Sequence, residues 1–246
     1  GGRSIIYPYA RLKDENGINQ VLPNQLNSRY IEGLRENTDL LDWRFIPLNE
    51  LGESINNSNR RQVEFQTGLN YKIANFLQIN SLYNYQTYTG DSQFLRTEES
   101  FYTRNLINRY TQFNNGIPKY IIPLGGINQL SNSKMQSHKF RSNIQFDKSS
   151  QDKQHIFFAI AGGEVSSVIT NQSGYTAYGY DPLLMTNQQV DFLNFYPIYD
   201  GLSGNSRIPN VDGINETTRR LVSFFTNWSY TYKNRYTTTF SARRDA

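Results

Sequence analysis

The sequence lacks several features by which common protein classes are recognised. It contains no cysteine, so disulfide scaffolds and thiolate metal sites are excluded. Its two histidines, His138 and His155, show no paired spacing, and we predict neither a metal nor another cofactor. No apolar run approaches the roughly 18 residues of a transmembrane helix, and the mean hydropathy is −0.66. A helical membrane protein is therefore excluded, whereas strands that alternate apolar and polar residues remain compatible with a membrane.

A strong charge of one sign is also missing. The chain carries 25 basic and 21 acidic residues, a net charge of +4, without a long basic run. Because nucleic-acid binding needs a concentrated basic patch, we expect no nucleic-acid partner. Glu98 and Glu99 lie at a predicted helix start, and the glycine pairs at 125–126 and 162–163 lack the strand–helix context of a phosphate loop. We therefore predict that the protein is not an enzyme.

Aromatic residues are abundant, at 14% of the chain, and many lie in alternating segments. The clearest segment is 221–245, which has a polar turn at 233–235. Alternation closed by a tight turn predicts a β-hairpin. Rings crowded at the turn end of an apolar face are typical of the lipid–water boundary of a membrane barrel. In steps of two, the apolar face of the first arm is formed by Val222, Phe224, Thr226, Trp228, Tyr230 and Tyr232.

Two further hairpins are predicted at about 62–88 and 138–166. The arms of the first are about twelve residues long, enough for a tilted strand to cross a bilayer. Ordinary globular strands average about five or six residues. Over the three hairpins, the residues predicted to face lipid are Val63, Phe65, Leu69, Tyr71, Leu77, Ile79, Phe224, Trp228, Tyr230, Tyr236 and Phe240.

The second arm of the middle hairpin is ambiguous, because both of its faces are apolar near Phe157. Glu164 should not face lipid, which favours Phe157, Ala159 and Ala161 on the outward face. A bulge near the glycine pair at 162–163 would reverse that inference.

Long connections at about 1–60, 89–137 and 167–219 separate the hairpins, and the second contains a predicted amphipathic helix at about 97–112. Thr97 is its candidate N-cap, followed by an acidic first turn at Glu98 and Glu99. Compact soluble domains rarely contain structureless loops beyond about fifteen residues, whereas outer-membrane barrels combine short periplasmic turns with long extracellular loops. The predicted fold is therefore all-β, part of a large antiparallel transmembrane barrel. Six strands cannot close such a barrel, whose minimum is about eight, so we expect the sequence to be a piece of a longer polypeptide.

The connections are rich in residues that could contact a ligand. Their aromatic rings could stack on sugars or enclose a peptide. The alternative interpretation is that these side chains pack the connections together and against a partner. The candidates for substrate contact are Trp43, Tyr102, Arg104, Arg109, Tyr110, Tyr178, Tyr180 and Tyr196.

Short motifs are spread in order over nearly the whole chain. The strongest is YTYKNRY at 230–236 followed by ARRD at 242–245. The others are YPYARL (7–12), DENG (14–17), LDWR (41–44), PLNE (47–50), GLNYKI (68–73), TRNLINRY (103–110), IPLGG (122–126), AIAGGE (159–164) and VDF (190–192). Together they resemble the SusC/RagA-type TonB-dependent outer-membrane transporters of Gram-negative bacteria.

The resemblance implies a barrel of about 22 strands in the cell outer membrane, filled by an N-terminal plug. It implies import of oligosaccharides or peptides, with energy from the TonB complex and a SusD-like surface lipoprotein as partner. The plug and the TonB box would precede Gly1 and are absent from this sequence. The shared motifs are structural, so no residue-level site is carried over. The alternative from a different class is a soluble, aromatic-rich β-sandwich for carbohydrate binding or adhesion.

Overall fold

The computed structural model describes residues 9–24, 28–34, 39–199 and 204–246. Parts of the predicted connections 1–60 and 167–219, and the first two residues of the motif at 7–12, lie outside these ranges. In chain order the elements are α1 (Ser28–Leu34), β1 (Ser54–Ala74), β2 (Leu77–Arg96), α2 (Phe101–Tyr110), β3 (Thr111–Asn114), β4 (Ile117–Tyr120), β5 (Gly126–Ser149), β6 (His155–Asp181), β7 (Thr186–Gln188), β8 (Tyr196–Pro197), β9 (Asn205–Ser206), β10 (Gly213–Tyr232) and β11 (Tyr236–Asp245).

Six long strands form one sheet in the order β1-β2-β5-β6-β10-β11, and β7 adds to it by pairing with β6. The other two sheets, β3-β4 and β8-β9, have two strands each. Within the described ranges the large sheet is open, because β1 and β11 are its two ends. The predicted all-β class is confirmed, whereas membership in a closed barrel remains a prediction.

The hairpin β10–β11 shows how the sequence sets the pairing register. Its strands are antiparallel, with Tyr232 opposite Tyr236 and Trp228 opposite Phe240, whose ring centroids are 5.6 Å apart. In the turn, Lys233 and Asn234 have φ of 50° and 53°. Tight hairpins need such left-handed residues, and asparagine tolerates them well. The predicted hairpin at 221–245 is present, although β10 begins earlier, at Gly213.

The chain divides into two compact units. The strand unit comprises 59–91, 132–173 and 214–246, and the connection unit comprises 1–58, 92–131 and 174–213. In the strand unit, amide side chains on neighbouring strands pair on one face, as Gln78 does with Gln145 (3.0 Å) and Asn80 with Asn143 (3.2 Å). The sheet therefore has one face on which polar side chains bond to each other.

The opposite face of the strand unit is apolar and exposed. Phe146 and Phe157 contact each other there, with ring centroids 5.8 Å apart. His138 and His155 each hydrogen-bond to a tyrosine hydroxyl through Nδ1, at 2.8 Å and 2.6 Å. Of the predicted lipid-facing residues, Leu77, Ile79 and Trp228 are partly buried. The exposed ones are Val63, Phe65, Leu69, Tyr71, Phe224, Tyr230, Tyr236 and Phe240.

The two faces of β6 are arranged as predicted from Glu164. Glu164 is only 8% exposed, and its Oε1 lies 3.3 Å from Nζ of Lys139. Phe157 and Ala161, at odd positions, are exposed. Glu164 is thus paired on one face while the apolar side chains of alternate positions occupy the other.

The strands are longer than the sequence suggested, at 20 to 27 residues for β1, β2, β5, β6 and β10. The extra lengths fall in segments assigned above to connections, such as 54–61 in β1, where every residue is exposed. Both faces are polar in that segment, so alternation, the signal used to find the strand, is missing.

The helix predicted at about 97–112 is present as α2, but it begins at Phe101. Its N-cap is Ser100 rather than Thr97, so Glu98 and Glu99 precede the helix instead of lying in its first turn. Among the helices that the structure describes, none is long and apolar enough to cross a membrane.

Gly162 makes a testable contribution to sheet packing. A Cβ at this position would lie 2.6 Å from Cβ of Asn143 and 2.8 Å from Cζ of Phe225, and would also clash with the carbonyl oxygen of Ser142. We expect Gly162→Ala to destabilise the protein by about 1–3 kcal/mol through overpacking. Thermal unfolding followed by circular dichroism measures the effect. Gly213→Ala is the control, because a Cβ there meets no atom within 4 Å; equal midpoints would contradict the prediction.

Candidate functional site

The connection unit is organised by the N-terminus of α2. Ser100 caps the helix, its Oγ accepting from the Thr103 backbone N–H at 3.3 Å. Both carboxylate oxygens of Glu50 accept from the Phe101 N–H, each at 2.9 Å. A carboxylate at this end of a helix is favourable because the peptide dipoles leave partial positive charge there. Glu50 thereby attaches the segment before β1 to the helix.

A row of polar side chains along α2 holds the segment 41–44. Asn108, fully buried, donates from Nδ2 to the Leu41 carbonyl (2.8 Å) and accepts from the Leu41 N–H (2.9 Å). Trp43 Nε1 donates to Asn105 Oδ1 at 2.8 Å. Arg104 donates to the carbonyl oxygens of Glu99 and Asp42. Asn108 thereby pairs both part-buried backbone groups of Leu41, which would otherwise lack protein partners.

Asp42 makes a local ion pair in the same segment. Its carboxylate lies 2.7 Å from Nη2 of Arg44. The hydrogen bonds from the Arg44 side chain lower the pKa of Asp42 below its usual value. The carboxylate therefore stays ionised at neutral pH and keeps its geometry.

The apolar side of α2 packs into the main core of the unit. This core consists of Leu106, Ile107, Tyr110, Ile122, Ile127, Tyr178, Ile198 and Ile208. The hydroxyl of Tyr178 donates to the Pro209 carbonyl at 2.6 Å, and that of Tyr110 to the Arg207 carbonyl. Burial raises the pKa of Tyr178, so its phenol stays protonated and donates.

Three of the candidates for substrate contact are buried in the connection unit. Trp43, Tyr110 and Tyr178 are 2% to 3% exposed, and their polar atoms bond to the chain itself. Their observed contacts agree with the alternative interpretation, that these side chains pack the connections together.

The other candidates lie nearer the surface. Tyr102 is 39% exposed, and Tyr180 and Tyr196 are partly buried. The Tyr196 hydroxyl donates to Asp191 at 3.2 Å. The Arg109 carbonyl accepts from the Tyr199 N–H at 2.8 Å. The structure thus separates the candidates into buried residues that build the unit and surface residues that could contact a ligand.

Arg96 is a surface feature that sequence reasoning missed. Its guanidinium carbon lies 3.9 Å from the centroid of Phe94 and 4.2 Å from that of Tyr102. Nη1 donates to Gln129 Oε1 at 3.2 Å. Burial lowers its pKa from the ordinary arginine value, which still leaves it charged at neutral pH. No sequence spacing indicated this stack, because it depends on the approach of α2 to the end of β2.

Two glycines allow the start of β5 to approach the end of β6. Gly125 has φ of 121°, and a Cβ there would lie 2.8 Å from the backbone carbon of Gly179. Gly179 has φ of 58°, and a Cβ there would lie 2.9 Å from Cγ of Pro123. Both positions are therefore restricted to glycine by backbone conformation and by contact.

This junction forms one wall of a cavity of about 480 Å³. The cavity combines apolar surface, one aromatic ring, main-chain groups of glycines and three carboxylates. Its lining residues are Leu95, Thr97, Glu98, Glu99, Leu124, Gly125, Gly126, Gly179, Tyr180, Asp181, Pro182, Thr186 and Gln188.

A second cavity of about 490 Å³ shares Glu98 and Glu99 with the first. Its other residues come mainly from 41–53, among them Asp42 and Glu53, and one, Arg104, comes from α2. Among the residues that the structure describes, no three His, Asp or Glu side chains are grouped to hold a metal ion. Both cavities offer apolar surface and charged side chains for non-covalent contacts.

Comparisons with known proteins give a fold likeness. No family model matches the chain, and no curated protein matches it in sequence. A solved structure of the RagAB peptide transporter matches with a TM-score of 0.55 and 16% identity. Structures of the RagAB peptide importer in its open-open and closed-closed states match at 0.54 and 0.53, with 15% and 17% identity. Each match covers 78% of this chain but only 18% of the matched chain.

At this identity the likeness concerns the fold. The chain spans less than a fifth of the length of each matched transporter chain. The matched structures are of transporters, and the chain shares their local β architecture.

Asn108 provides a test of how the connection unit is held together. We expect Asn108→Ala to destabilise this unit by about 1–3 kcal/mol, because the backbone N–H and C=O of Leu41 lose their buried partners. Limited proteolysis should then cleave near residues 39–44 faster than in the unchanged protein. Asn114→Ala is the matched control, since Asn114 is exposed; similar cleavage rates in both variants would contradict the role of Asn108.

Proposed function

We propose that this chain is part of the wall and outer connections of a TonB-dependent importer in the outer membrane of a Gram-negative bacterium. The observation that carries the proposal is a sheet with one polar, internally bonded face and one exposed apolar face, in a fold similar to that of a peptide transporter. The cargo is a nutrient oligomer. We favour a peptide over an oligosaccharide, because the matched structure is that of a peptide transporter.

The apolar face supports a lipid environment. Val63 is 61% exposed and Leu69 is 64% exposed, and each is followed two residues later, on the same face, by another exposed apolar side chain, Phe65 and Tyr71. Water would solvate such a continuous surface poorly, whereas a bilayer accepts it. The long strands also exceed the roughly 9–11 residues that a tilted strand needs to cross a bilayer.

The two kinds of connection support an orientation. Short turns follow β1, β5 and β10, and the long connections leave the opposite strand ends. In outer-membrane barrels the short turns are periplasmic and the long loops are outside. We therefore assign the connection unit, with its two cavities, to the extracellular side.

This assignment defines the expected partners. A SusD-like surface lipoprotein would contact the extracellular connections, and the TonB complex would act through a plug outside this sequence. Further strands would pair with β1 and β11, because unpaired strand edges in lipid cost several kcal/mol per polar group. Lipid would cover the apolar face.

The runner-up function is a soluble β-sandwich that binds carbohydrate or mediates adhesion. A sandwich needs a second sheet over the apolar face. Within the described ranges, the only other sheets are the two-stranded pairs β3-β4 and β8-β9, and both belong to the connection unit. The exposed aliphatic and aromatic residues of the strand unit therefore favour the membrane function. Recovery of the intact protein as a soluble monomer without detergent would establish the runner-up instead.

Face-specific substitution tests the membrane assignment. Leu69→Arg should impair assembly into the outer membrane, because a cation on the lipid face near mid-bilayer costs about 2–4 kcal/mol. Asn70→Arg, one residue along β1 and on the other face, should be tolerated in a wet interior. The measurement is the fraction of intact protein in the membrane that migrates as a folded, heat-modifiable band. Equal assembly of the two variants would refute the assignment of faces.

Tyr180 tests whether the first cavity contacts cargo. Calorimetric titration of the intact, detergent-solubilised protein with a defined mixture of short peptides should show binding, with weaker or no binding of oligosaccharides. Tyr180→Ala should weaken peptide binding about 3- to 10-fold, the loss expected for one aromatic contact. Tyr175→Ala is the control, because Tyr175 is exposed and does not line the cavity. Unchanged affinity for Tyr180→Ala would exclude this cavity as the peptide site.

A further inference from the structure

The chain contains three Arg-Arg dipeptides, and all three lie in strands of the large sheet. They are at 60–61 in β1, 219–220 in β10 and 243–244 in β11. The dipeptides of β1 and β10 lie at least about 12 residues along their strands from the nearest short turn, and that of β11 lies about eight residues from it. At about 3.3 Å per residue, these distances along the strands are roughly 40 Å for β1 and β10 and roughly 26 Å for β11. The dipeptides therefore lie toward the strand ends opposite the short turns.

Alternation places one arginine of each dipeptide on each face of the sheet. Arg244 lies directly opposite Phe224, and cross-strand partners share a face, so Arg244 belongs to the apolar face. Arg220 is two repeats from Phe224 in β10, and Arg61 is one repeat from Val63 in β1.

A fourth cation, Lys134 of β5, lies on the same face. Asn132 and His138, which also have even numbers in β5, show which face this is. Asn132 bonds to Asp91 of β2, and His138 bonds to Tyr83 of β2. Arg61, Lys134, Arg220 and Arg244 together are called the basic row.

The basic row is exposed and has no partners in the structure. All four side chains are exposed. Across the described part of the chain, none of them makes a side-chain hydrogen bond or an ion pair. Two carboxylates share their face: Asp91, which accepts from Asn132, and Glu216, which forms no salt bridge with a described residue. On the other face, Arg243 does bond, to Asp245 at 2.8 Å and to Ser223 at 3.1 Å.

Unpaired cations at the edge of an apolar membrane surface complement the negative charge of anionic lipid headgroups. We propose that the basic row binds the phosphate groups of anionic lipids at the extracellular edge of the bilayer. The guanidinium fork suits phosphate, and juxtamembrane cations bind anionic surfaces. The inference rests on the proposed function, because it requires the apolar face to be in a bilayer.

The dipeptides supply a matched experiment. One variant carries Arg61→Gln, Arg220→Gln and Arg244→Gln, and the control carries Arg60→Gln, Arg219→Gln and Arg243→Gln. Both lose three charges from the same three sites, but from opposite faces. The intact proteins are purified in detergent and titrated with phosphatidylglycerol, phosphatidylcholine or inorganic phosphate. Native mass spectrometry then counts the bound ligands.

The basic-row variant should bind phosphatidylglycerol at least about tenfold more weakly than the unchanged protein, because surface cations add to anionic-lipid affinity individually. The control should remain within about twofold, since its arginines lie on the other face. The unchanged protein should prefer phosphatidylglycerol to phosphatidylcholine, and inorganic phosphate should bind the unchanged protein and the basic-row variant alike.

Three results would overturn the inference. They are equal losses in the two variants, no loss in the basic-row variant, and face-dependent binding of inorganic phosphate as strong as that of the lipid. In each of these cases heat-modifiable migration of the same samples would still support the membrane assignment. A protein that retained no lipid and stayed monomeric without detergent would overturn the proposed function itself.

Discussion

Successive side chains of an extended strand point to opposite faces, and this constraint organises the strand unit. Where the two faces of a strand meet different surroundings, polar and apolar side chains must alternate along its sequence. Amide pairs such as Gln78 with Gln145 occur on one face, and Phe146 contacts Phe157 on the other. The buried Glu164 with its Lys139 partner obeys the same rule. One geometric fact thus separates the polar from the apolar chemistry of the whole sheet.

The connection unit solves a different problem, because its segments are long and largely irregular. Their backbone groups cannot all pair in ladders, so side chains of α2 pair them instead. Asn108 pairs both backbone groups of Leu41, and Glu50 accepts from the backbone N–H of Phe101, the first residue of the helix. Loss of one partner of such a pair destabilises the fold, because it leaves a buried polar group without a hydrogen bond. The surface of the connection unit that contains the two cavities is thereby built around one short helix, α2.

Sequence reasoning succeeded where the physical signal is local. Alternation and polar turns located the three hairpins, and apolar spacing located α2. It failed at strand ends, since 54–61 is solvated on both sides and has no alternation. It placed the helix N-cap three residues early, at Thr97 instead of Ser100, because both residues are competent caps and the choice is made by contacts with the distant Glu50. The burial of Trp43 and Tyr178 also depends on partners far away in the chain, so composition alone could not separate packing residues from surface ones.

The contact between Gly125 and Gly179 has a consequence for how the cavity can diversify. Neither glycine can accept a side chain, so this wall is fixed by main-chain atoms. The neighbouring positions, among them Tyr180 and Gln188, carry no such restriction, and their side chains can be exchanged without moving the wall. Related proteins could therefore acquire different ligand preferences by changing the side chains that line the cavity. The glycine wall, and with it the dimensions of that side of the cavity, would stay the same.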